Sequence, residues 1–218
     1  MTILVEEPTQ LPISSGSNTS RQLLAIFSEF FALVALLVAV VVVVSIDVRF
    51  FENNLAEFSL TELIQCMLIL GMALIFAWHS HCDTSSRGFL IAVTTLFTCM
   101  FIRENDVYFD LITHGFWVVP AGIIATSGAM GCYLNRASLV APFLGYFVKR
   151  HTTFIHIGFL ILIVFSRLFG TGSLWQSVMG QDYNSVFKTV VQEGLELLGY
   201  SFMAYGTFMS FAKREGLT

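Results

Sequence analysis

Val34–Ser45 reads VALLVAVVVVVS, an uncharged run closed by its first hydroxyl, and it lies inside a longer stretch, Leu23 to Ile46, whose only charge is Glu29. Crossing a hydrocarbon layer of about 30 Å takes about 20 apolar residues, more than an interior strand or an amphipathic helix of a soluble domain offers without interruption. The stretch therefore reads as a membrane span. It does not read as a cleaved secretory signal. The residues ahead of it include Glu6 and Glu7 with only Arg21 near the boundary, and no small-residue cleavage site follows at the usual distance.

The remainder has the same character: 56% of the 218 residues are hydrophobic, 12% are charged and 22 are phenylalanine, with a mean hydropathy of +0.76. A soluble domain of this size could not keep so much apolar surface from water. Five further spans follow along the chain: Leu60 to Trp78, Gly88 to Phe101 or slightly beyond, Thr113 to Tyr133, Phe154 to Phe169, and Ser185 to Ala212. The third is short for a bilayer, so it must run on through Arg103, tilt, or thin the membrane.

Basic residues in short loops orient such a chain. With the N-terminus cytoplasmic, Arg21, Arg87, Arg136, Lys149, Arg150, Lys213 and Arg214 fall inside, and Arg49, Arg103, Arg167 and Lys188 outside. The expected fold is all-α: a polytopic transmembrane bundle of six spans with both termini cytoplasmic. Residues 1–20 form a flexible leader, 21–214 a single six-helix membrane domain and 215–218 a short tail. A bacterial inner membrane suits this pattern.

The acids divide more sharply. Asp47, Glu52, Glu57, Glu62, Glu104, Asp106, Asp110, Asp182, Glu193 and Glu196 all fall outside, against Glu6, Glu7, Asp83 and Glu215 inside. Acidic residues do little to set topology, so the imbalance calls for another account, and a field of that sign concentrates cations. Asp47, Glu52 and Asp182, taken singly, read equally well as solvated loop faces.

Two segments concentrate the polar chemistry. Phe101–His114, FIRENDVYFDLITH, brings Arg103, Glu104, Asp106, Asp110 and His114 to the end of a short span. The chain must reverse here, which predicts a hairpin with Arg103 and Glu104 on one rim and Asp110 and His114 on the other. Turn and cap roles suit Asn105, Asp106 and Asp110, but the crowding of charges suggests a paired network. In VQEGLELLGY, Glu193, Glu196 and Tyr200 share one helical face. Were the last helix to begin at Glu193, both glutamates would simply favour its positive end. The upstream VFKTVVQ predicts an earlier start, which places both carboxylates well inside the span and in need of partners, with Arg103 and Arg167 as counter-charges.

Other polar residues are more easily explained. Ser59 and Glu62 form the capping-box pattern S-x-x-E, which accounts for Glu62. Glu57 has no such account and is a weak member of the outer group. Glu29, alone in the first span, is a candidate relay. His79, His81, Cys82 and Asp83 are dense in donors but lack any closed metal-site spacing. Gly122 and the segment GAMGC, Gly128–Cys132, offer close helix contacts. Phosphate-cradling, dinucleotide-binding and nucleophile-elbow motifs are absent, as is a basic nucleic-acid surface.

Three functions remain. In the first, Glu104, Asp106, Asp110, His114, Glu193 and Glu196 form a cation or proton site, flanked by Arg103 and Arg167, with Glu57 and Tyr200 as weaker members. In the second, His114 with Asp110, Glu104 or Glu196 holds a divalent metal cation that activates water against a lipid-like substrate. In the third, the chain is a non-catalytic accessory subunit. The expected partners are the bilayer, a small cation or lipid-like substrate, and either a second copy or a membrane partner subunit.

Overall fold

The computed structural model describes residues 16–51 and 59–212, and among them every regular element is helical. The main helices are α1 (Gly16–Ile46), α2 (Leu60–Cys82), α3 (Arg87–Glu104), the short α4 (Asp106–Asp110), α5 (Val118–Leu134), α6 (Val140–Phe147), α7 (Arg150–Leu160), α8 (Ser166–Phe169), α9 (Gly172–Met179) and α10 (Ser185–Ala212). By Cα packing the chain forms two units, residues 1–38 and residues 39–218. The boundary falls within α1, and Glu29 belongs to the first unit.

Four helical stretches among the described residues are long and apolar enough to cross a membrane: Thr19–Arg49, Leu60–Cys82, Thr84–Glu104 and Arg150–Phe169. A fifth is reached if α5 and the segment Arg136–Phe147, which meet at 90°, count as one broken span. The chain is thus a helical membrane protein. At 28 residues α10 is long enough, but it is not among the four, because Glu193, Glu196 and a scatter of Gly, Ser, Thr and Tyr dilute its apolar content.

In the second unit the helices alternate in direction. Cys99 Sγ lies 3.5 Å from the Ala121 carbonyl and Cys132 Sγ 3.5 Å from that of Gly88, so α5 runs back along α3. Gln65 meets Glu193 at one end and Phe76 meets Phe211 at the other, so α2 and α10 run in parallel. α7 runs against α10. Phe76, Phe97, Tyr200, Met203 and Leu90 fill the core between α2, α3 and α10, and α7 joins it through Phe159, 6.4 Å from Phe97 between ring centroids.

Glycines set the closest approaches. A β-carbon on Gly158 would stand 2.5 Å from the Gly199 carbonyl oxygen, and one on Gly206 2.8 Å from that of His151, so α7 and α10 touch backbone to backbone. Gly128 and Gly131 make room on α5 for the side chains of Thr95 and Ile91 of α3, whereas Gly122 faces open space.

The N-terminus of α2 corrects the view of Asp47 as a solvated loop residue. Asp47 is fully buried. Its carboxylate accepts from the backbone N–H of Leu60 at 2.9 Å and of Thr61 at 2.7 Å, and from the Thr61 hydroxyl. Ser59 Oγ accepts from Glu62 N at 3.1 Å, and the Ser59 carbonyl from Leu63 N at 3.1 Å. The N–H groups of Leu60, Thr61 and Glu62, which a helix start leaves open, are therefore all satisfied by side chains, and Leu63 makes the first bond within the helix. The capping role expected of Ser59 is in place, and a second cap from the end of the first span reinforces it. Asp182 is exposed, and Glu52 and Glu57 lie outside the described residues.

Between α3 and α5 the chain reverses as the sequence predicts. Asn105 ends α3, α4 follows at once, and Gly115 at φ 79° allows the turn before α5. α5 consequently begins at Val118, not at Thr113 where the fourth span was expected to start.

Candidate functional site

A cavity of about 490 Å³ opens where the N-terminal half of α2, the end of α3, α4 and the middle of α10 meet. Its lining includes Glu62, Gln65 and Cys66 from α2, Arg103 and Glu104 from α3, Asp106, Val107 and Tyr108 from α4, and Gln192, Glu193 and Glu196 from α10. Five carboxylates, those of Glu62, Glu104, Asp106, Glu193 and Glu196, thus share the wall with one guanidinium.

Helical spacing explains the arrangement. α10 begins at Ser185, so Glu193 and Glu196 lie more than two turns inside it and the helix-start account does not hold for them. Both face α2 and α3, as does Tyr200 one turn further on. The Tyr200 hydroxyl, 1% exposed as a residue, donates to Glu104 Oε1 at 2.9 Å. Gln65 Nε2 donates to Glu193 Oε2 at 3.3 Å and to the Glu193 carbonyl at 3.2 Å. Gln192 Nε2 donates to Glu196 Oε1 at 3.1 Å. Each of the three inner glutamates is therefore held by a neutral donor through one carboxylate oxygen.

The counter-charges differ from expectation. Arg103 approaches its neighbour Glu104 at 3.7 Å and keeps 42% of its side chain exposed. Glu196, expected to pair with Arg103 or Arg167, instead takes Gln192 as its hydrogen-bond partner. Arg167 is exposed on α8 and does not line the cavity. A long cationic chain remains hydrated there, at lower cost than burial beside a single carboxylate.

Asp110 and His114 do not join the cavity. They pair with each other, Nδ1 to Oδ2 at 2.8 Å, while the Gly115 N–H donates to Asp110 Oδ1 at 2.8 Å. The His114 side chain is 99% exposed. The short reach of the aspartate closes the loop locally, on the His114 ring and on the N–H of Gly115, which takes a positive φ there. The metal set of His114 with Asp110, Glu104 or Glu196 is accordingly not assembled, and among the described residues no three His, Cys, Asp or Glu side chains are placed to hold a metal ion. Glu29 is not among the lining residues. His79, for its part, stacks on Phe211 at 3.9 Å, and Asp83 caps the turn that leads into α3.

Sequence reading passed over Glu62, Gln65, Cys66 and Gln192. Their spacing was a usable signal: residues 62, 65 and 66 share a face of α2, and Gln192 lies four residues before Glu196. A capping-box position accounts for Glu62 at the helix start, yet a residue in the first turn can face a cavity as well, and Glu62 does.

Removing the Tyr200 hydroxyl tests the frame. Tyr200→Phe keeps the ring in the core but deprives Glu104 of its donor, at a cost of about 2 kcal/mol. The melting temperature in detergent, followed with a thiol-reactive dye on the partly buried Cys66, Cys99 and Cys132, should fall by about 4–8 °C. An unchanged melting curve would mean that this bond holds nothing together.

No family model, no curated protein and no solved structure matches this chain.

Proposed function

We propose that this chain is a six-span protein of a bacterial inner membrane, with both ends cytoplasmic, that binds a cation or proton in the cavity at its outer end. The alternation of α2, α3, α5, α7 and α10 supports the span count, and the basic residues of the short loops support the orientation. α10 is the sixth span. Its lower apolar content follows from the acids it contributes to the cavity, and intramembrane carboxylates facing a bundle interior are the usual mark of an ion or proton pathway.

The observation that carries the reading is the way Glu104, Glu193 and Glu196 are held. Neutral donors fix one oxygen of each without neutralising it, and only Glu104 has a basic side chain beside it, Arg103 at 3.7 Å, which leaves Glu193 and Glu196 to be balanced by a guest. A protein whose acids served only to bind its own helices would place basic side chains against them. Here the one basic lining residue stands against five acids.

Glu196→Gln tests this, because the amide keeps the shape and the Gln192 contact but removes the charge. In proteoliposomes under an imposed proton or cation gradient, Glu196-dependent flux or saturable uptake should fall at least tenfold. Flux and binding that are indifferent to Glu196→Gln would refute the reading.

A further inference from the structure

We infer that the guest is a small organic cation, an ammonium or guanidinium group carried on a hydrocarbon body, rather than a bare metal ion. The inference rests on the cation reading above and narrows it.

Size is the first argument. A cavity of about 490 Å³ lies within the range of small-molecule sites, roughly 300–1,000 Å³. A metal ion needs several oxygens at about 2.0–2.6 Å around one point, and among the described residues no such convergence of His, Cys, Asp or Glu exists. The carboxylates instead stand on different walls, Glu104 on α3, Asp106 on α4, and Glu193 and Glu196 on α10. Acceptors spread in this way suit N–H donors pointing in several directions, each meeting one oxygen at about 2.7–2.9 Å.

Chemistry is the second argument. Glu196 is 4% exposed and lines the cavity, and only its Oε1 has a hydrogen-bond partner among the described residues, leaving Oε2 for a guest. Leu60, Leu63 and Val107 line the same space and offer a surface for carbon, which a hydrated metal ion would not use. The site also already accommodates one guanidinium, that of Arg103 beside Glu104. A guest with the same head group would compete for this carboxylate.

The experiment uses the full chain in detergent, with putrescine and agmatine as ammonium and guanidinium probes. Sodium, potassium, magnesium and calcium are compared at matched ionic strength, and binding is read by calorimetry and by melting-temperature shift. The expected result is saturable binding of at least one amine probe, weakened at least tenfold by Glu196→Gln and by Asp106→Asn. The second variant keeps the test open should Glu196→Gln fail to fold. Saturable binding of an inorganic ion, or Glu196-dependent proton flux, with no amine binding would overturn the organic guest and leave the cation reading standing. Amine binding untouched by both variants would place the ligand elsewhere and overturn the inference. If no cation of either class binds and no Glu196-dependent flux is seen, both readings fall together.

Discussion

Replacing Asp47 by alanine is expected to lower the melting temperature of the detergent-solubilised protein by about 6–12 °C, corresponding to a loss of about 3 kcal/mol. Three donors lose their acceptor at once: the part-buried N–H of Leu60 and the fully buried N–H and hydroxyl of Thr61. An ordinary N-cap replacement costs about 1 kcal/mol because solvent takes over the freed N–H. Here the acceptor is charged, it serves two N–H groups, and it sits at the positive end of α2, so the loss is larger. Asp47→Asn should show a smaller drop, since the amide oxygen still accepts from one donor while its NH₂ faces another. Glu62 and Gln65 lie on the turns that Asp47 holds, so the alanine variant should also weaken any ligand of the cavity. A melting curve within 1 °C of the parent would show that the buried carboxylate contributes nothing net.

Gly158→Leu is expected to be as damaging or more so. A β-carbon at this position meets the Gly199 carbonyl oxygen at 2.5 Å and the Met203 side chain at 2.6 Å, and Gly199 faces back onto Gly158 in the same way. A flexible side chain can move aside, but a backbone carbonyl inside a helix cannot. α7 and α10 must therefore separate along their length. The cost is on the order of 3 kcal/mol or more, at or above the upper end of ordinary overpacking, and it is read as loss of monodisperse protein and of the cooperative melting transition. Gly158→Ala should fall between parent and leucine. Gly71→Ala is the control: open space surrounds that position in α2, so the better helix former should be neutral or stabilising by up to about 1 kcal/mol. If Gly158→Leu melts with the parent, the close contact of α7 with α10 is not what secures the bundle.

These two positions differ in how far the sequence announced them. Gly158 lies in a span, where small residues are the expected means of close approach, but nothing in the order of residues says that its partner is Gly199. Asp47 was harder to read. An acid just after an apolar run is the ordinary sign of a loop in water, and its true partner begins 13 residues later, at Leu60. Glu193 and Tyr200 could be assigned to one face from their spacing. That Gln65 meets the one and Glu104 the other depends on which helix packs against α10, which local periodicity does not encode. The pairing expected between Glu196 and an arginine failed for the same reason: charge complementarity names candidates, and geometry selected Gln192.

The sequence by itself determined the solvent and the elements. Apolar runs near bilayer length leave no alternative to helices in lipid, because a lipid-exposed backbone must satisfy its own hydrogen bonds. The helix ends around Ser59 and Asn105 and the reversal after Glu104 followed from cap and turn chemistry acting over a few residues. The tertiary structure alone decided which acids share a cavity. Glu62, Glu104, Asp106, Glu193 and Glu196 are gathered by the packing of α2, α3, α4 and α10, while Asp110 and His114, equally polar and close by in sequence, close on each other and on the N–H of Gly115 instead. Spacing along a helix sets the face on which a side chain lies, and only the helix packed against that face sets what it meets.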